Sequence, residues 1–144
     1  MSAVLGGDPA EVLAAIERAG LVPANVNSPG QVVAAGALSD LAALAAEPPT
    51  RARVIPLQVA GAFHTPYMEP ARAEFAAAAA GWPAADPALP LLSDADGAAY
   101  RAPGTSHGAG RDVLERLVAQ VVAPVRWDLC QQTLAAMGVT AMIE

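Results

Sequence analysis

Lysine is absent from the 144 residues, and all 8 basic side chains are arginine. Together with the abundance of alanine, this reads as genomic composition bias and not as mechanism. Acidic residues outnumber basic ones 14 to 8, for a formal net charge of −6. Aromatic residues make up only 4% of the chain. With no basic patch and no interleaved rings, nucleic acid is excluded as a partner. Cys130 is the single cysteine, so no internal disulfide can form. No apolar run approaches the roughly 20 residues of a membrane span. The opening MSAVLGGD has neither a basic segment nor a long apolar core, so no signal peptide is expected there. These absences predict a soluble, cytoplasmic protein. What is present is a 54% hydrophobic chain with 15% charged residues, which rules out disorder and suffices for one respectable core.

Local signals predict the elements in order. Residues 2–6 are a short apolar strand. Asp8-Pro9 starts a helix, because the carboxylate can accept from first-turn amides and proline suits the first helical position. Val12, Leu13, Ile16 and Ala19 fall at helical spacing, and Gly20 closes the helix. Leu21–Val26 is a second strand, Asn27-Ser28-Pro29-Gly30 a turn, and Gln31–Ala35 a third strand. A helix from Ser39 or Asp40 to about Ala46 follows, then an apolar run, Val54–Val59, expected as a buried fourth strand. Strand, helix, strand, strand, helix, strand is the ferredoxin-like split βαβ order. Beyond it the pattern predicts helices over 68–80, 111–122 and 127–137, and a short strand at 91–93. It also predicts a loop over 101–110 and a last strand, Val139–Ile143. An apolar, strand-like run at each end suggests a piece of a longer protein.

His64 is the one strongly chemical residue. It follows the predicted strand and Gly61 and precedes a helix that begins near Pro66 or Met68. The carboxyl end of a buried strand is where α/β proteins place reacting groups. The alternative is a hydrogen-bonded structural histidine. The other candidates carry less. Asp94–Gly97 resembles the start of a calcium loop but lacks the later ligands and closing glutamate, so no metal is expected. His107 lies in a glycine-rich loop and reads as solvated. Cys130 is on a helix with no adjacent base and reads as a buried, inert thiol. Trp82 and Trp127 read as core or boundary residues. No serine stands in a Gly-x-Ser-x-Gly elbow, and no glycine loop has phosphate-cradling spacing. The residues therefore offer a base and no nucleophile.

Several stretches taken together resemble one family. PANVNSPGQVVAAG at Pro23–Gly36, VAGAFHTPYMEPA at Val59–Ala71 and LVAQVVAPVRWDLC at Leu117–Cys130 match in order and spacing, and the closing GVTAMIE fits as well. They resemble the carboxyl-terminal portion of malonyl-CoA:acyl carrier protein transacylase of type II fatty acid synthesis, actinobacterial members most of all. The resemblance covers essentially the whole chain. It implies an α/β fold in two parts: residues 1–58 as an inserted, ferredoxin-like α+β subdomain, and residues 59–144 as the carboxyl-terminal part of a large, α/β-hydrolase-like acyltransferase subdomain. It implies malonyl-CoA and acyl carrier protein as partners and no cofactor, the coenzyme A thioester being substrate. A serine elbow takes the malonyl group and passes it to the carrier's phosphopantetheine thiol. His64 falls on the catalytic histidine, Gln120 on the glutamine whose carbonyl orients it, and Asn27 on a pocket-lining asparagine. In related polyketide domains a phenylalanine beside the histidine accompanies malonyl choice and a serine accompanies methylmalonyl, which implies a selective role for Phe63; its alternative is a core phenylalanine.

The departures are as informative as the matches. The family's amino-terminal glutamine motif, serine elbow and carboxylate-binding arginine have no counterpart in these residues, nor has the Gly-Pro-Gly segment after the last strand. The chain is expected to carry the base half of a site, without activity of its own. Two other readings stand beside it: an acyltransferase domain of a polyketide synthase, and a non-catalytic ferredoxin-like binding module from a truncated gene. The Pro29-Gly30-Gln31 run favours the stand-alone enzyme over the polyketide domain.

Overall fold

The computed structural model describes residues 1–100 and 109–143. Its first part is built from β1 (Ser2–Gly6), α1 (Pro9–Arg18), β2 (Val22–Ser28), β3 (Gln31–Ala35), α2 (Leu38–Ala46) and β4 (Ala52–Pro56). The strands form one four-stranded sheet in the order β2-β3-β1-β4, with every neighbouring pair antiparallel. This is the split βαβ arrangement that the element order predicts.

Local chemistry sets the ends of α1. The Asp8 carboxylate accepts from the amides of Ala10 and Glu11, both at 3.0 Å, and Pro9 takes the first helical position. At the other end Gly20 adopts φ 73, its amide donates to the Glu17 carbonyl, and the Leu21 amide donates to the Ile16 carbonyl. That pair of bonds needs a left-handed residue, which glycine supplies at least cost. Gly138, at φ 80, closes the last helix with the same two bonds, to Ala135 and from Val139 to Leu134. The β2–β3 hairpin turns on Pro29-Gly30, and β2 runs two residues further into the predicted turn, to Ser28. Register shifts between Pro23 and Asn25 and between Val26 and Ser28 accommodate it.

Val12 and Ile16 of α1 and Leu41 and Leu44 of α2 close over Val4, Val32 and Ala34 of the sheet, with Leu21 beside them. Ile16 and Val4 are fully buried. Each such side chain contributes about 1.5–3 kcal/mol relative to exposure.

The second part holds a 3-10 turn (Pro66–Met68), α3 (Glu69–Ala79), α4 (Ala109–Gln120) and α5 (Trp127–Ala136). It joins the sheet at the free edge of β2. The Val125 amide donates to the Ala24 carbonyl and the Val26 amide to the Val125 carbonyl, both at 2.8 Å. The Gln131 side chain of α5 adds a bond to the Asn27 carbonyl at 2.6 Å. An edge that would otherwise present unpaired groups is thereby covered.

Five expectations are corrected. The fourth strand is Ala52–Pro56, not Val54–Val59, and it is not buried: Arg53, Ile55 and residues 56–60 are exposed. It is an edge strand. Its ladder with β1 ends where Pro56 faces Ser2, and a last bond runs from the Leu57 amide to the Met1 carbonyl at 3.0 Å. Val139–Ile143 forms no strand, and Ile143 is wholly exposed, because a strand exists only through partners and none of the described residues pairs with this segment. The stretch at 91–93 contributes a single bridge, Leu92 to Ala99, in place of a strand. Helix α4 begins at Ala109, inside the predicted loop. Trp82 and Trp127 are exposed and not core or boundary residues, and Trp82 meets Phe75 edge-on at 5.9 Å.

Candidate active site

His64 does not sit at a strand end. Seven residues separate it from Pro56, and it occupies a turn between Ala62 and Thr65. Its φ of 59° is left-handed. That region is unusual for a residue with a Cβ, costing about 1–2 kcal/mol, so the surroundings must hold it there. Thr65 does part of this. Its side chain is fully buried, its hydroxyl donates to the Ala62 carbonyl at 2.6 Å, and the same oxygen accepts from the Tyr67 amide at 3.3 Å. The first bond spans Phe63 and His64. The second caps the 3-10 turn, whose first residue is Pro66, and that turn leads directly into α3.

The half-buried His64 ring reaches across to the end of α4, where Nδ1 lies 2.9 Å from the backbone oxygen of Gln120. A carbonyl can only accept, so Nδ1 carries a proton whether the ring is neutral or cationic. In the neutral ring Nε2 then holds the free lone pair. Gln120 is the last residue of α4, and carbonyls of a last helical turn lack intrahelical partners. The side chain of Gln120 steadies this end: its amide donates to the Ala123 and Pro124 carbonyls at 2.8 and 2.9 Å. The Ala123 amide shares the Gln120 carbonyl at 3.3 Å.

Sequence reasoning singled out both members of this pair, and the fold brings them together. Phe63 is 42% exposed beside the histidine, close over Gly61, and is not a core residue. Asn27 is half-buried on β2, and its carbonyl accepts from the Gln131 side chain. No hydrogen bond links it to His64 or Phe63 among the described residues. A groove of about 720 Å³ lies between α1, β2 and α5, lined by Leu13, Val26, Val32, Arg126 and Gln131 among others, but it includes neither His64 nor Asn27. Thr65 was missed by sequence reasoning, although a threonine immediately before a proline is a helix-start signature that could have found it.

Cys130 and the Asp94–Gly97 turn are each held by bonds within the protein. Cys130 is buried on α5, its thiol donating to the Ser93 carbonyl and Asp94 carboxylate at 3.4 Å. Burial and the neighbouring acids push it up to about 11. The Asp94–Gly97 turn is tied down by protein: Asp96 accepts from the Ala98 amide and from Arg116, and the Asp94 carbonyl accepts from the Arg126 amide. Among the described residues no three metal-ligating side chains gather. His107 lies outside the described residues.

Comparison with known proteins gives a consistent picture. No family model matches the chain. Over all 144 residues it is 55% identical to a malonyl CoA-acyl carrier protein transacylase of Mycobacterium tuberculosis, covering 45% of that protein. A transacylase of the same description from Mycolicibacterium smegmatis is 52% identical over 134 residues, 93% of this chain and 44% of the relative. The crystal structure of MCAT from Mycobacterium tuberculosis superposes with a TM-score of 0.87 at 52% identity, over 96% of this chain and 44% of that one. The chain thus spans under half the length of these relatives, and along essentially all of its own length it is similar to them in sequence and in fold.

Proposed function

We propose that this chain is the carboxyl-terminal, base-bearing portion of a malonyl-CoA:acyl carrier protein transacylase of type II fatty acid synthesis, working in the cytoplasm. In this reading residues 1–58 are the inserted ferredoxin-like subdomain, and residues 59–144 belong to the large acyltransferase subdomain. The observation that carries it is the 2.9 Å contact between His64 Nδ1 and the Gln120 carbonyl. It leaves Nε2 as a proton acceptor of defined orientation, which is what a serine nucleophile requires of its base.

The chemistry follows from that atom. Nε2 removes the proton from a serine hydroxyl supplied by the rest of the parent protein, and the serine oxygen attacks the thioester carbonyl of malonyl-CoA. The carbon–sulfur bond breaks, and the imidazolium returns its proton to the departing thiolate. The second half reverses these roles: His64 takes the proton of the carrier protein's thiol, whose sulfur attacks the malonyl-serine ester, and then protonates the serine oxygen. The backbone carbonyl holds the ring in one tautomer throughout without adding a second charge. Asn27 and Phe63 are assigned to the walls of the acyl pocket, and no cofactor is called on.

The test is to fuse the chain behind the amino-terminal portion of the M. tuberculosis transacylase and measure malonyl transfer. In this restored enzyme His64→Ala should lose on the order of 10²-fold or more of the rate. Activity near the parent level would remove His64 from the mechanism.

A further inference from the structure

We infer that Thr65 is a positioning residue for His64: its side-chain hydroxyl holds the turn that presents the ring to the Gln120 carbonyl. The inference rests on the reading of His64 as the base. It starts from the left-handed φ of 59° at His64, a conformation that turns normally assign to glycine or asparagine. A histidine stays there only if neighbouring bonds define the turn. The Thr65 hydroxyl forms such a bond, at 2.6 Å to the carbonyl of Ala62, enclosing Phe63 and His64 between its ends. Thr65 is itself immobilised. It is fully buried, its oxygen accepts the Tyr67 amide, and its carbonyl accepts the Met68 amide at 3.0 Å. The turn is therefore anchored to the base of α3, while the ring it carries is anchored to the end of α4. These two anchors together hold Nδ1 at the Gln120 oxygen. Serine keeps the hydroxyl; valine keeps the shape and loses it.

The experiment reads the ring directly. Histidine ¹⁵N NMR on the 144-residue chain reports which nitrogen of His64 bears the proton, with His107→Gln resolving the two histidines. The parent and Thr65→Ser should show His64 protonated at Nδ1 with Nε2 free. Thr65→Val should shift the ring toward the Nε2-protonated tautomer while the circular dichroism spectrum stays folded, and Thr65→Ala provides the same reading if valine does not fold. In the restored enzyme Thr65→Val should lower kcat by about tenfold or more with KM little changed, and serine should rescue it. A folded Thr65→Val chain with the parent's ring signals would overturn the inference. So would loss of fold in both variants with retention in serine, since Thr65 would then serve the fold and not the ring. If His64→Ala retains activity while the ring signals still depend on Thr65, the base assignment fails and the hold of Thr65 on the ring stands.

Discussion

At His64 one hydrogen bond decides which nitrogen can act, and its acceptor is main chain. That distinction makes a prediction at the residue scale. Gln120→Ala removes the bonds to the Ala123 and Pro124 carbonyls but leaves the carbonyl that faces Nδ1. Stability should fall by about 1–3 kcal/mol, the worth of two ordinary hydrogen bonds. The restored enzyme should keep its rate to within about tenfold, a loss far smaller than that of His64→Ala. A loss as large as that of His64→Ala would show that the side chain itself acts. Phe63 is the second residue-scale case. Its ring stands exposed next to the base and not in the core. If it limits the space for an extra methyl, Phe63→Ser should narrow the preference for malonyl over methylmalonyl, and a methyl usually discriminates by about 1–3 kcal/mol. An unchanged ratio of kcat/KM for the two substrates would sink that role.

At the scale of elements, α5 is the brace between the two parts. It carries Gln131 to the Asn27 carbonyl, Thr133 to the Gly97 carbonyl and Cys130 to Ser93 and Asp94. Burial raises Cys130 from its ordinary 9.0 to about 11. An acid raised in the folded state is neutral in both states below pH 9, so its contribution is fully present there. As pH climbs from 9 toward 11 the unfolded thiol ionises first, and stability declines. Native protein at pH 8 should therefore resist iodoacetamide at Cys130 and react once denaturant is added; equal rates in both states would contradict a buried thiol. Helix α1 gives a second test. Asp8→Ala removes a cap with two bonds and should cost about 0.5–2 kcal/mol in denaturant unfolding.

The whole molecule sets the limits of its chemistry. A net charge of −6 gives this chain no global attraction for an acidic partner. His64 and the Gln120 carbonyl meet where the turn after β4 reaches the end of α4, and in the proposed reading a base alone leaves water as the only nucleophile. The 144 residues by themselves should not transfer malonyl groups. Purified chain incubated with radiolabelled malonyl-CoA and carrier protein should leave both unlabelled. Covalent label on the chain with turnover to the carrier would reveal a nucleophile among these residues.

What the sequence by itself determined is whatever neighbours along the chain decide. Asp8-Pro9 and Gly20 bound α1, Pro29-Gly30 turns the hairpin, Gly138 stops α5, and the spacing of Val12 and Ile16 aims one helical face at the sheet. The identity of His64 and Gln120 was legible too, through the motifs that contain them. Their meeting was implied by the resemblance alone; chain neighbours could not give it, because the bond spans 56 positions and depends on how α4 packs beside the turn. Tertiary structure also decided the strands at issue. Val54–Val59 and Val139–Ile143 have strand composition, yet the first is bonded across only as far as Leu57, and the second pairs with none of the described residues. Composition sets a residue's preference for a pleated surface, whereas a strand needs a partner's amides and carbonyls, and only the folded chain supplies or withholds them. The left-handed backbone at His64 belongs to the same class. No residue type there announces it, and it stands beside a buried Thr65 whose hydroxyl bonds the Ala62 carbonyl.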